Sequence, residues 1–187
     1  MTNLREILSD PPEEAAPRLL GCHLVSEVGD ELVRLRIGEV EAYKGRDDPA
    51  SHAYRGRTKR NGSMFGTPGT LYTYLSYGVH TAANTAAGPE GVGWGILIRG
   101  GEVVDGRATA VRRRGREDQI ADGPGKLTQA LGIRLDHNGL DLLSPTSVVR
   151  LEAGESPGVV IATPRVGISK ARDRHWRFVA ADVATVS

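Results

Sequence analysis

The sequence predicts a single α+β domain built on a mostly antiparallel sheet, and three observations carry that prediction. Runs of β-branched and aromatic residues recur after short glycine-bearing turns. Two of them, Gly69–Tyr77 and His80–Ala86, flank Gly78 as the arms of a hairpin would. Helical signals are confined to a proline-marked segment near the start and a short stretch after Gly123. The 187 residues suffice for one core and contain no repeat or low-complexity linker, so the domain is taken as 1–187.

The first helix is expected to be capped by Ser9-Asp10, with Pro11 and Pro12 in its first turn. Glu13 stands three residues after Asp10 as in a capping box, and Leu19-Leu20-Gly21 ends the helix. Strands are expected over Cys22–Glu27, Leu32–Tyr43, Gly69–Tyr77, His80–Ala86 and Trp94–Arg99, the last finishing on Arg99. Between them, Gly45–Gly66 lacks apolar periodicity, and irregular loops that long tend to be functional or disordered. The arginine-rich stretch Arg107–Arg116 also reads as a loop. Lys126–Leu131 forms a short helix stopped by Gly132, and shorter strands follow near Val148–Glu152, Val159–Ala162 and Phe178–Ala181.

Composition excludes several classes of function. A lone cysteine, Cys22, leaves no intramolecular disulfide and no cysteine-rich metal or cluster site. His23, His52, His80, His137 and His175 lack ligand spacing, so no metal is expected. No apolar run reaches bilayer length and the start lacks the apolar core of a signal peptide. The expectation is an intracellular protein without a membrane partner, in the cytoplasm or nucleoid if bacterial. A net charge of +1 argues against a protein that coats nucleic acid, but the basic residues are uneven. Arg55, Arg57, Lys59 and Arg60 form one group and Arg107–Arg116 another, and arginine's fork suits phosphate oxygens. Gly125-Lys126 is not a phosphate loop, because Ile120 stands where its first glycine belongs. It reads as a helix N-terminus at which Lys126 could meet a phosphate.

The chemistry centres on Glu41. Alternation along the second strand puts Val33, Leu35, Ile37, Glu39, Glu41 and Tyr43 on one face, which turns from aliphatic to acidic. Carboxylates seldom occupy such a face unless partners or chemistry compensate their desolvation. Arg99 is the obvious partner of Glu41, and a buried ion pair is the plainest reading. Beside Tyr43, His52 and Tyr74 the same pair is also a device for positioning water. Glu39 takes second place, as a residue that orders Glu41's surroundings or is itself salt-bridged. Tyr72 and Tyr74 could be core, and His52 a hydrogen-bonded loop residue. Tyr77, next to Gly78 at a tight turn, suits insertion into a base stack better than burial. An acid among aromatics and cations suggests chemistry on a planar base within a polyanion.

Several segments, in order, resemble the alkyladenine (3-methyladenine) DNA glycosylase family of the methylpurine-DNA glycosylase type. They are Glu39-Val-Glu-Ala-Tyr43, His52 with Arg60-Asn61 and Met64-Phe65, Pro68–Gly78, Asn84, Leu97-Ile-Arg99, Gly123–Leu131 and Arg165-Val-Gly-Ile168. The resemblance implies one α+β domain around a curved antiparallel sheet with flanking helices and a protruding β-hairpin. It also implies no cofactor, duplex DNA containing a damaged purine as substrate, and a monomer. In its terms Glu41 is the general base and Arg99 holds the attacking water with it, while Val166 lends that water a backbone carbonyl. Tyr43, His52 and Tyr74 sandwich the extruded base, Asn84 crowds the exocyclic amine of guanine, and Tyr77 fills the vacated gap. His80-Thr-Ala-Ala is smaller than usual for the pocket floor. Two other readings stay open: a nucleoside N-glycosidase acting on small molecules, and a noncatalytic DNA-binding domain in which Glu41 and Arg99 merely pair.

Overall fold

A computed structural model describes residues 3–76 and 78–183. Two short helices open the chain, α1 (Leu4–Ser9) and α2 (Pro12–Leu19). The expected cap is misplaced. Ser9 closes α1, donating its hydroxyl to the Arg5 carbonyl at 2.7 Å, and Asp10 accepts from Arg18 at 2.7 Å instead of capping α2. Asn3 is the residue whose side chain caps a helix, accepting from the Arg5 and Glu6 amides. With only six residues, α1 offers too little periodicity to be read.

Among the described residues eight strands follow: β1 (His23–Ser26), β2 (Val33–Tyr43), β3 (Leu71–Ser76), β4 (His80–Ala87), β5 (Trp94–Asp105), β6 (Val149–Glu152), β7 (Val160–Thr163) and β8 (Arg177–Ala180). They form one curled antiparallel sheet in the order β3-β4-β5-β2-β1-β6, with β8 pairing both β2 and β7. Strand β2 organises it. Along one edge it pairs with β5; along the other it pairs with β1 as far as Arg36, then with β8 from Glu39 to Glu41.

The changeover sits at a pair of irregularities that revises the expected strand face. Ile37 lies opposite Gly101 and Glu39 opposite Gly100, which leaves Gly38 as an extra residue on β2. Val40 then lies opposite Ile98, leaving Arg99 as the extra residue on β5. An inserted residue reverses which side chains face the core. The core accordingly takes Val33, Leu35 and Ile37, then Val40 and Ala42. Glu39 and Glu41 therefore do not continue the aliphatic row, as simple alternation requires; they fall on the opposite face. Arg99 does not end β5 either, since the strand runs on to Asp105. Of the two glycines after it, Gly101 is sterically required, because a Cβ there would lie 2.1 Å from the Arg36 carbonyl oxygen.

Two further helices cover the core, α3 (Arg107–Arg114) and α4 (Pro124–Leu131). The first replaces the expected arginine loop; Ala110 alone is buried in it, so the sequence shows no apolar stripe. Its arginines bind the protein itself. Arg113 donates to the Val28 carbonyl at 2.6 Å, Arg114 to the Gln129 side chain at 2.5 Å, and Arg112 pairs with Glu31. The long segment between β2 and β3 holds two 3₁₀ turns, Gly45–Asp47 and Gly62–Phe65. The β3–β4 hairpin closes from Ser76 opposite His80, with Gly78 at φ 71° and with Leu75 and Val79 exposed. Tyr77 lies outside the described residues.

Candidate active site

The face of the sheet turned away from the main core carries an open cavity of about 530 Å³. Alternation fills it from four strands. Glu41 and Tyr43 of β2, Tyr72 and Tyr74 of β3, Asn84 of β4, and Leu97 and Arg99 of β5 line it, while Ala42, Ala83 and Ile98 beside them face the core. The long loop adds His52, Arg60 and Met64, and the segment before β8 adds Val166 to Lys170.

Glu41 is fully buried and held on both oxygens. Oε2 accepts from the Tyr43 hydroxyl at 2.7 Å, Oε1 accepts from the Val166 amide at 2.8 Å, and Arg99 Nη1 stands 3.4 Å from Oε1. Burial, then the adjacent Glu41 charge, pushes the Tyr43 phenol far above its usual range, so it stays a donor. Glu39 is the stronger ion-pair partner of Arg99. Its Oε1 accepts from Arg99 Nε at 2.7 Å and from Arg177 Nε at 2.6 Å. Arg99 thus spans both carboxylates, anchored on Glu39 and leaning on Glu41.

The aromatic wall is a stack. Tyr72 and Tyr74 lie with centroids 5.5 Å apart and planes 28° from parallel, and the His52 ring meets Tyr74 edge-on at 4.5 Å. The Tyr72 hydroxyl lies 3.2 Å from His52 Nδ1, and burial pushes that phenol up to about 12. His52 itself is exposed at the cavity mouth, yet the surrounding wall, and then the Arg60 charge, lower its pKa. It is therefore neutral near pH 7. The guanidinium of Arg60 stands 6.0 Å over the Tyr74 ring. Asn84 is buried, with its amide nitrogen donating to the Tyr72 carbonyl at 3.1 Å, which fixes its rotamer.

The family description of methylpurine-DNA glycosylase matches residues 6–184. The chain belongs to the methylpurine-DNA glycosylase family. A relative from Rhodococcus jostii (strain RHA1) is 51% identical over 184 residues, covering 94% of this chain and 80% of that protein. One from Nocardia farcinica (strain IFM 10152) is 48% identical over 188 residues, covering 95% and 86%. One from Corynebacterium glutamicum (strain R) is 44% identical over 180 residues, covering 95% and 83%. All three carry the provisional name 3-methyladenine DNA glycosylase.

Within this family member, the fold brings Glu41, Arg99, Tyr43, His52, Tyr74, Asn84 and Val166 around one cavity. Among the cations chosen from sequence, Arg60 alone lines it; Arg55, Arg57 and Lys59 are exposed on the neighbouring loop. Lys126 is half-buried and already engaged by Asp122 at 3.0 Å and Gln119 at 3.2 Å. Lys44, adjacent in sequence to Tyr43, pairs with Glu13 and lies outside the cavity lining. Sequence reasoning missed Tyr72 as a lining residue, and it missed Arg177 and the buried Asp48–Arg165 pair altogether. Register puts Arg177 opposite Glu41, but β8 is too distant in sequence for spacing to signal this. Among the described residues no group of three His, Cys, Asp or Glu side chains converges as a metal site, and no helix is long and apolar enough to cross a membrane.

Proposed function

We propose that this protein hydrolyses the N-glycosidic bond of alkylated purines, such as 3-methyladenine, in duplex DNA, using water and no covalent intermediate. One observation carries the reading: a fully buried carboxylate, Glu41, sits in an aromatic-walled cavity and is aligned by Tyr43, Val166 and Arg99. The reaction needs a base swung out of the helix, since its sugar carbon is inaccessible within the stack. Tyr43, His52 and Tyr74 flank that base, and Asn84 excludes the exocyclic amine of guanine. Glu41 takes a proton from water as the oxygen bonds to the anomeric carbon and the purine leaves with the bonding pair. Arg99 orients the pair without accepting the proton.

A cationic alkylpurine departs without being protonated, whereas cleavage at a sugar oxygen usually needs a second, acidic carboxyl. Glu41 is the only carboxylate among the described residues lining the cavity, which suits a leaving group that is already charged. Stacking adds a cation–π contribution of about 0.5–2 kcal/mol that normal purines lack. Arg55, Arg57, Lys59, Arg60 and Lys126 contact the DNA backbone in this reading, and Tyr77 occupies the gap left by the flipped nucleotide. The protein acts inside the cell as a monomer. The test is single-turnover release of methylated purine from duplexes carrying one lesion, with free nucleosides assayed in parallel. Wild type is expected to act on the duplex and Glu41→Gln to bind it without excision. Equal activity in the variant, or action on nucleosides alone, overturns the proposal.

A further inference from the structure

We propose that Asp48 and Arg165, a buried ion pair behind the cavity wall, are positioning residues for Glu41 and Tyr43. The inference rests on the assignment of Glu41 above and extends it to residues that line no part of the cavity. Both side chains are 0% exposed, and their contact is a fork: Arg165 Nη1 to Asp48 Oδ2 at 2.5 Å and Nη2 to Oδ1 at 2.9 Å. Burial opposes ionisation of both, but the mutual bonds and charge outweigh it, holding Asp48 below and Arg165 above their ordinary values.

Four connections lead from this pair to the site or to the backbone that carries it. Arg165 Nη1 also donates to the Ala42 carbonyl at 2.9 Å, the residue between Glu41 and Tyr43. The guanidinium lies 4.7 Å from the centroid of the Tyr43 ring and 5.3 Å from that of Trp176. The residue after Arg165 is Val166, whose amide holds Glu41 Oε1 at 2.8 Å. Asp48 accepts from the Lys44 and Ala50 amides at 3.3 and 3.2 Å, fixing the start of the loop that carries His52.

Stability alone does not account for the arrangement. A buried pair is often no more stabilising than apolar side chains of similar volume. This one also leaves Arg165 Nε buried without a hydrogen-bond partner among the described residues, which is a cost. What the pair uniquely supplies is alignment. Without it the Val166 amide loses its anchor beneath Glu41 Oε1, and Tyr43 loses the cation that fixes its ring plane and so its hydroxyl on Oε2. Displacements of about 1 Å in a reacting group can cost on the order of 100-fold in rate.

The experiment compares wild type, Glu41→Gln, Arg165→Lys and the apolar double variant Asp48→Leu/Arg165→Met on one lesion-bearing duplex. Melting temperature, duplex Kd and single-turnover rate are measured for each. The double variant is expected to melt near wild type and bind within about threefold, yet excise about 100-fold more slowly. Arg165→Lys retains charge without the fork and should fall about 10-fold. A double variant that folds and excises at the wild-type rate overturns the proposal, as does a loss of rate matched by an equal loss of binding. If the double variant does not fold, Arg165→Lys decides, and a wild-type rate there overturns it too. A Glu41→Gln that still excises instead refutes the assignment of Glu41, and the pair's role falls with it.

Discussion

Two glutamates, two positions apart in β2 and bridged by Arg99, are expected to respond in opposite ways to neutralisation. Glu39 is 1% exposed and accepts from two guanidinium groups on one oxygen. In Glu39→Gln the amide oxygen still accepts, but Arg99 and Arg177 are left facing the single charge of Glu41. Breaking one side of a buried ion pair costs roughly 3–5 kcal/mol, and Glu41's remaining charge favours the lower figure, about 3 kcal/mol. For a domain of this size about 3 kcal/mol lowers the melting temperature by roughly 6–12 °C. Glu41→Gln differs because Arg99 and Arg177 keep Glu39, the carboxylate they bond directly, while Glu41 has only the longer 3.4 Å contact with Arg99. The amide oxygen takes the Val166 amide and Arg99, and the amide nitrogen donates to the Tyr43 oxygen once its hydroxyl turns, so the change stays within about 1 kcal/mol. Excision reverses the order. With Glu41 in the general-base role proposed above, its loss costs about 10²–10⁴-fold in rate, or roughly 2.7–5.5 kcal/mol of barrier. Glu39→Gln, assayed well below its melting temperature, keeps the base and should lose no more than about tenfold. Circular-dichroism melts and single-turnover base release measure both quantities. If Glu39→Gln melts within about 2 °C of wild type, or Glu41→Gln excises at more than a tenth of the wild-type rate, the division of labour between the glutamates is wrong.

Other outcomes follow from charge. The pKa of His52 is held below its ordinary 6.5, so it stays neutral until the pH falls beneath that value. Protonation then sets a cation against a cationic purine, and the binding ratio of cationic to neutral lesions should drop below about pH 6.5. That trend should vanish in His52→Asn, as fluorescence titration across pH can check. Asp48 is depressed below its ordinary 3.8, so its contribution to stability is complete above that value and is lost as pH falls through the lower, folded one. Urea midpoints followed below pH 4 should show this loss in wild type and lack it in Asp48→Asn. On DNA, Arg60→Ala should reduce the slope of log Kd against log salt by about 0.9, the contribution of one phosphate. Arg113→Ala should leave that slope unchanged and cost about 1–3 kcal/mol of stability, because Arg113 is bonded to Val28 and Glu31.

The cavity was largely legible in the sequence because its residues carry chemistry that a core does not tolerate without reason. Glu41 and Arg99 stood out as charges in apolar strands, and Tyr74 and His52 as aromatics around them. What was not legible was position on the sheet. Alternation assumes an unbroken ladder, and neither Gly38 nor Arg99 announces itself as an extra residue. The basic runs misled for a different reason. Arg55 and Arg113 look alike in sequence, yet the first is exposed and the second is bonded to a backbone carbonyl, a difference made by tertiary packing alone. Arg177 and Arg165 reach the site from more than a hundred residues downstream, where local patterning carries no information about Glu39 or Asp48.

The extra residue at Gly38 makes the placement of the acid a matter of parity. Deleting that glycine would leave the composition of β2 nearly untouched and yet swap oil for acid along the remainder of the strand, driving Glu39 and Glu41 toward the packed interior and presenting Val40 and Ala42 to the cavity. Point substitutions at Gly38 and a one-residue deletion there are therefore different experiments: the former perturb a kink, the latter turns the reaction chamber inside out.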